Sequence, residues 1–550
     1  MPNYYESLEL DLDAQSEAGA RRHQVLASLP WAPKPTTSVG YLAGNRLLIV
    51  ADNETALEIE SSLPDSVDCY IANPADKSGV TAKTNSHNCA GLKVTGYLGN
   101  FTVDIDSHLE DSSSLGSIFG LEPDTFDQVL DCSNEALVTA AIKPPGYYHA
   151  PNEELRDGFL ESIPEMTGEF EKPKYFDYDP SICAHGRSGI SGCNNCLNAC
   201  PTDAIVSLGE TIEVNPHLCQ GGGSCTASCP TGAITYLYPR ADEQVEFLRV
   251  ATRSLRENFT DSGITLLVYD DENGRETIEG LAADLAGHVL PFRVEEIGSV
   301  GLDIICSALA YGANQVLLHV APEIPAQVRK VLEFNQSLVN GMCAELGLAD
   351  FEVTLVASTE EILGADVPTR LEDTAAFAAV GGKRTIIRNA LTHLWERSGS
   401  EQNAVDLPAG SPFGNLDIKV DACTLCMGCV SQCPGKALQA GGDTPALRFI
   451  EANCVQCGIC TASCPESALS LQPRLNFIPD EANRARPLKE EAPFHCISCG
   501  KAFATQAMIA RMTEKLQGHW MFEKPEAVNR LRMCEDCRVI DMFDKENQLD

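Results

Sequence analysis

Two stretches decide the reading of this chain: CTLCMGCVSQCP (423–434) and CVQCGICTASCP (454–465). In each, gaps of two, two and three residues separate four cysteines, and a proline follows the last. Thiolates are soft metal ligands, and gaps this short let one turn of backbone set three of them around a single centre. The same punctuation occurs earlier in altered form. Cys183, Cys193, Cys196 and Cys200-Pro201 have a first gap of nine residues. Cys219, Cys225 and Cys229-Pro230 are one cysteine short, because in CQGGGSC (219–225) Gly222 stands where the second cysteine belongs. The internal repeat of the chain is therefore a paired cysteine run, present twice.

These runs resemble the bacterial-type two-cluster ferredoxins, over 181–240 and 416–475. The resemblance implies [4Fe–4S] clusters in a crossed arrangement, the fourth cysteine of each run serving the cluster of the other. Carried onto this sequence, one cluster takes Cys423, Cys426, Cys429 and Cys464, and a second takes Cys454, Cys457, Cys460 and Cys433. In the first module Cys183, Cys193, Cys196 and Cys229 hold a third. Cys219, Cys225 and Cys200 remain as a three-thiolate site, which admits three outcomes: a [3Fe–4S] cluster, a four-iron cluster with water or a side chain such as His217 on the open corner, or a labile or empty site. The insertion AHGRSGISG (184–192) reads as a flexible loop that closes the wider span at small entropic cost, bringing His185 and Arg187 near a cluster.

Cys496-x2-Cys499 and Cys534-x2-Cys537 form a separate set. Four thiolates in two such knuckles suit a structural zinc, and Cys499-Gly500-Lys501 resembles the knuckle of zinc-ribbon and treble-clef modules. A single rubredoxin-like iron or a further cluster is the alternative. His495 and His519 lie nearby and are not needed as ligands. Of the 24 cysteines this leaves Cys69, Cys89, Cys132, Cys306 and Cys343, scattered as small buried hydrophobes usually are.

A chain of 550 residues holds several domains. The expected fold is α/β plus α+β: an N-terminal arm (1–36), a small α/β domain (37–145), a linker rich in Pro, Glu and Tyr (146–180), ferredoxin-like module 1 (181–240), a second α/β domain (241–360), a helical connector (361–415), ferredoxin-like module 2 (416–475) and a zinc-type module (476–550). Alternation of strand-like and helix-like segments predicts parallel sheets covered by helices. Neither α/β unit carries a dinucleotide or P-loop fingerprint. The segment 262–358 faintly resembles the small iron–sulfur delta subunit of certain hydrogenases and heterodisulfide reductases, a hint of fold only. Asp303 and His319 there are unpaired candidates that read more readily as cap and core.

The formal charge of −38 argues against nucleic acid and anionic membranes as partners. It reads as an acidic solvated surface, or as steering toward a basic face on a redox partner. No apolar run approaches membrane-spanning length, and RLLIVA (46–51) is strand-length. Arg21-Arg22 is followed by a segment too polar and proline-rich for an export signal. Clustered cysteines with no export signal read as metal binding in the cytoplasm. As a whole the chain loosely resembles the large 4Fe–4S binding proteins associated with molybdenum-type formate dehydrogenases. That implies an accessory electron carrier or oxidoreductase subunit with redox-protein partners, passing single electrons. An iron–sulfur flavin reductase and an iron–sulfur sensor or assembly factor are the rival readings. No acid, base or nucleophile constellation stands out.

Overall fold

A computed structural model describes residues 17–74, 85–89, 91–105, 114–258, 262–281, 284–442, 444–516, 519–522 and 525–546. Part of the arm expected at 1–36 thus lies outside the described residues. The first sheet has five strands, β1 (Arg46–Val50), β2 (Asp68–Asn73), β3 (Ser86–Asn88), β4 (Gln128–Asp131) and β5 (Tyr147–His149), all parallel and ordered β3-β2-β1-β4-β5. Its central strands are apolar on both faces, as a sheet covered on both sides requires. Strands Leu92–Tyr97 and Asn100–Ile105 form the hairpin expected around Gly99. The stretch 146–180, read from its composition as a linker, is structured. It supplies the edge strand β5, the helix Glu153–Leu160 and the strand Gly168–Pro173, which pairs antiparallel with Ser38–Ala43. Its prolines and glutamates suit an edge strand that meets solvent.

The second sheet comprises β6 (Ile264–Asp270), β7 (Val289–Val294), β8 (Ala313–His319) and β9 (Glu352–Val356), parallel and ordered β7-β6-β8-β9. Helices α1 (Ala241–Asn258), α2 (Leu302–Ala310), α3 (Ala326–Glu345) and α4 (Lys383–Ser398) surround it. Every residue of β6 and α2 is buried. This core is the largest among the described residues, and it draws in Phe413, Leu475 and Phe477 from the flanks of module 2, Val25 and Leu26 from the helix Glu17–Ala27, and Leu29 just after it. Arg22 on that helix is 2% exposed and donates to the carbonyls of Leu285, Ala286 and Val289. A buried guanidinium needs such acceptors.

The cysteine modules are small and loop-rich, and the second α/β unit packs directly on the first of them. The turn Ile297–Ser299 after β7 lies against the Gly222 loop so closely that a methyl at Gly298 would stand 2.2 Å from the Gly222 carbonyl oxygen. No helix among the described residues is long and apolar enough to cross a membrane.

Candidate iron–sulfur centres

Local backbone conformation builds each cysteine loop. In both complete runs the chain is left-handed two and four residues after the first cysteine: Leu425 (φ 54°) and Met427 (60°), then Gln456 (56°) and Gly458 (82°). CQGGGSC repeats this at Gly221 (84°) and Gly223 (69°), so Gly222 sits in the slot of Cys426 and Cys457. A further left-handed residue follows three positions after each last cysteine, at Asp203, Gly232, Lys436 and Ser467. Alternating right- and left-handed residues turn successive N–H groups into one concavity, which favours an anionic guest. Ala437 N–H donates to Cys433 Sγ at 3.2 Å and Ala468 N–H to Cys464 Sγ at 3.3 Å. All seven non-glycine left-handed residues among those described lie in the two modules. Each costs about 1–2 kcal/mol, so the strain is concentrated where the cysteines converge.

Three pockets collect cysteines. Cys423, Cys426, Cys429 and Cys464 line one; Cys454, Cys457, Cys460 and Cys433 line the second; Cys183, Cys193, Cys196 and Cys229 line the third. Each contains one cysteine from the partner run. Four thiolates around a small, largely apolar pocket are the donor set an iron–sulfur cube requires. Burial, with repulsion from neighbouring thiolates, pushes the thiols of Cys193, Cys196 and Cys429 up to about 12 and that of Cys457 to about 11. Such thiols stay protonated until a metal displaces the protons. Cys229 runs the other way: burial raises it, but nearby Lys383 and backbone N–H groups bring it below the ordinary thiol value. Lys383 Nζ donates to the carbonyls of Thr226 (2.6 Å) and Ala227 (2.9 Å).

The insertion 184–192 is a two-stranded hairpin turning at Ser188 and Gly189, not an open loop. His185 is buried, and both its ring nitrogens are used, against the Cys193 carbonyl (2.9 Å) and Ser207 Oγ (2.7 Å). Arg187 is exposed.

Cys219, Cys225 and Cys200 sit under both α/β units. Lys172 Nζ donates to the carbonyls of Cys219 (2.6 Å) and His217 (2.8 Å), and Tyr41 Oη to that of His217 (2.6 Å). Burial pushes the Lys172 amine down to about 8, the Cys219 thiolate opposing. The His217 ring is stacked on Tyr97 at 4.2 Å and edge-on to Tyr41 at 5.4 Å; the structure commits it to aromatic packing. Gly221 and Gly223 each have two reasons to be glycine, a positive φ and no room: a methyl would lie 2.9 Å from the Tyr175 ring or 2.5 Å from Ser299. At Gly222 a methyl would meet only Pro201, at 3.4 Å, an ordinary contact.

The two modules meet at Arg384 on α4. Its guanidinium donates to Pro230 (3.1 Å) and Pro412 (2.8 Å), and to Ala452 and Cys454 (both 2.9 Å), all carbonyls. Burial and the neighbouring Arg388 push its pKa down to about 10, the Cys454 thiolate opposing. Gly192 of the first module abuts the Ile459 side chain of the second. Neither Arg384 nor Lys172 was singled out by sequence, since an arginine in an amphipathic helix and a lysine in an edge strand carry no motif.

At the C-terminal set, the sulfurs of Cys496, Cys499, Cys534 and Cys537 all lie within 4.8 Å of one another. The first pair sits beside the hairpin Pro493–His495/Ala502–Thr505, the second at the start of α5 (Glu535–Glu546). The Sγ atoms of Cys499 and Cys534 are 3.7 Å apart, against about 3.8 Å for the edge of a tetrahedron with ~2.3 Å zinc–sulfur bonds. Cys69, Cys89, Cys306 and Cys343 are buried and Cys132 is half-buried.

Among the described residues the α/β units show no phosphate loop. At the N-terminus of helix Asn53–Ser62, where the first sheet's strand order reverses, Asp52 already accepts the N–H groups of Glu54 and Thr55. Asp303 is buried in the first turn of α2, and His319 ends β8 beside Gly274.

A 4Fe-4S binding domain model matches residues 212–235, and a second 4Fe-4S binding domain model matches 420–438 and 451–467. No curated protein matches the chain.

Two predictions follow from the packing. Gly223→Ala should destabilise the protein by about 1–3 kcal/mol while Gly222→Ala is near neutral; equal melting temperatures for the two variants would contradict the geometry. Glu296, beside the Ile297–Ser299 turn, has its carboxyl pushed up to about 8 by burial and by Asp270, Glu272 and Glu295. Its folded-state pKa is above the unfolded value, so its charge costs stability progressively as pH rises from about 4.5 to 8. Glu296→Gln should therefore match the parent near pH 4.5 and gain over it up to pH 8, by at most about 1.4 kcal/mol per pH unit. Thermal melts across that range check it, and a pH-independent difference would refute it.

Proposed function

We propose that this protein is a multi-cluster iron–sulfur electron carrier whose four cysteine sites form one linear wire. Three sites would hold [4Fe–4S] clusters, on the ligand sets given above, and the Cys219/Cys225/Cys200 site a [3Fe–4S] cluster. The proposed order is the Gly222 site, the Cys183 site, the Cys454 site and the Cys423 site. Within each module the exchanged fourth cysteines make two sites neighbours. Between modules, the observation that carries the order is Arg384, whose one guanidinium binds the carbonyls of Pro230, next to Cys229, and of Cys454. The Gly222 end is covered by both α/β units, whereas Cys426 at the other end is exposed. Electrons would therefore leave or enter through the Cys426 end.

The cysteines at 496–537 fit a structural zinc, supported by four sulfurs within 4.8 Å of one another and the 3.7 Å spacing of Cys499 and Cys534. Thr505 Oγ1 donates to the Thr424 carbonyl (3.2 Å), and Arg511 and Lys515 pair with Glu466 (3.0 and 3.2 Å). These ties support a position for that module beside the exposed end of the proposed wire, where a redox-protein partner would dock. A formate dehydrogenase is the partner class that the whole-chain resemblance favours, in the cytoplasm. What the chain itself supplies is spacing, burial and N–H donors to sulfur, which set reduction potentials.

Iron, sulfide and zinc analysis of anaerobic protein, with electron paramagnetic resonance before and after dithionite, tests the reading. The expected result is zinc with four clusters, one giving the signal of an oxidised three-iron cluster. Gly222→Cys should convert that signal to a four-iron type, since the backbone there admits the side chain. Protein carrying only zinc, or clusters that dithionite does not reduce, would sink the carrier. Arg384→Gln should lower the potentials of the two flanking clusters, because a positive charge between them favours the reduced forms; unshifted potentials in a variant that keeps the parental metal content would remove Arg384 from the wire.

A further inference from the structure

Gln456 departs from its counterparts in the other cysteine loops. It stands two residues after Cys454, left-handed at φ 56°, where the matching positions carry Leu425 and Gly221. Neither of those side chains has a hydrogen-bond donor. A left-handed backbone costs a non-glycine residue about 1–2 kcal/mol, so local conformation alone favours glycine here, as at Gly221. Gln456 carries a second cost. Its Oε1 is buried and has no hydrogen-bond partner among the described residues, and native structures leave few such atoms without a reason.

The reason lies at the other end of the amide. Nε2 donates to Cys454 Sγ at 3.2 Å and to the Asn415 carbonyl at 2.9 Å. Chemistry fixes that orientation: a carbonyl only accepts, and a reversed amide would set two oxygens against each other. The strand Gly414–Ile418 leaves room for it, since a methyl at Gly414 would stand 2.3 Å from Nε2. In module 1 the hydroxyls of Thr202 and Thr231 lie 3.4 and 3.6 Å from Cys200 and Cys229 Sγ, but a hydroxyl hydrogen can rotate away. The Gln456 amide is held by Asn415. Backbone and cation are alike in the two loops of module 2. The N–H groups of Leu425 and Gln456 serve Cys423 and Cys454, and Lys489 and Arg384 donate to the carbonyls of the same two cysteines. The side-chain donor is what distinguishes the Cys454 loop.

We propose that Gln456 tunes the Cys454 site: its side-chain N–H raises the reduction potential of the cluster held by Cys454, Cys457, Cys460 and Cys433. One added electron increases the negative charge on the sulfurs, so a donor aimed at one of them favours the reduced form. No bond of the side chain is made or broken. The proposal rests on the electron-carrier reading for the cluster itself, and adds which site is raised and by which group.

The test is a redox titration of the full-length, anaerobically purified protein with dithionite and mediators, followed by electron paramagnetic resonance. Gln456→Met keeps the length of the side chain and removes the donor. It should move the reduction equilibrium of one cluster about tenfold toward the oxidised form, about 59 mV for a one-electron couple, and leave the other couples in place. Iron and sulfide content is measured on each variant. Gln456→Gly removes the donor and relieves the left-handed backbone, and is read in place of Gln456→Met if the latter loses iron. A side chain that served only the fold would change melting temperature and leave every potential alone. No couple moving, or one moving upward, in a variant of parental cluster content overturns the proposal and leaves the carrier standing. A parent protein with no reducible couple refutes the carrier, and the tuning with it.

Discussion

One guanidinium holds the two halves of this molecule in register. Arg384 is buried between the modules and spends its N–H groups on four carbonyls, two from the first module's side and the loop before the second, two from the second module itself. Its face also lies 4.9 Å from the Phe413 ring. Lysine could not replace this: a point charge with three donors does not reach four acceptors in one plane. Burying a charge is costly unless its donors are met, so the arrangement is stable only with both modules in place. Cluster spacing therefore depends on a residue that touches no metal.

The α/β units take their meaning from that frame. The second contributes α4, which carries Arg384, and the turn that presses Gly298 and Ser299 onto the glycine loop. The first contributes Tyr41 and Tyr97 around His217, and Lys172 comes from the strand paired with it. Both thus close over the three-thiolate site. In a low-dielectric enclosure, charge on a cluster is felt strongly, and the Lys172 amine on the Cys219 carbonyl is a compensating group at that site. At the other end Cys426 meets solvent. The proposed wire, with one sealed end and one open end, would have a direction, which a symmetric pair of ferredoxin modules would lack.

The sequence made some of this legible and hid the rest for physical reasons. Thiolate spacing is local, so the runs at 423–434 and 454–465 could be read by counting, and 4Fe-4S binding domains are matched there and at 212–235. Strands β1, β2, β6 and β8 could be read from largely apolar runs of strand length. The stretch 146–180 misled because edge strands tolerate proline and charge, which composition reads as linker. His185 read as a loop residue because its two hydrogen-bond partners, the Cys193 carbonyl and Ser207 Oγ, come from tertiary packing. Arg22, Arg384 and Lys172 were invisible for the same reason: each is defined by the carbonyls that surround it, and carbonyls carry no sequence signal.

The glycine triplet separates what the fold demands from what the ligand set demands. At Gly221 and Gly223 a left-handed backbone and the nearness of Tyr175 and Ser299 forbid a side chain. At Gly222 neither constraint applies. The loop keeps the conformation of CTLCMGC and CVQCGIC, and a Cβ would find only the Pro201 ring at contact distance. If the site had merely decayed, nothing would keep its left-handed turns, its enclosure by two α/β units, or Lys172 on the Cys219 carbonyl. On the proposed reading the missing thiolate is a property of the ligand set, placed on a loop that keeps the left-handed turns of the complete runs. That is the arrangement expected when one corner of a centre is left without a cysteine while the rest of its protein environment is retained.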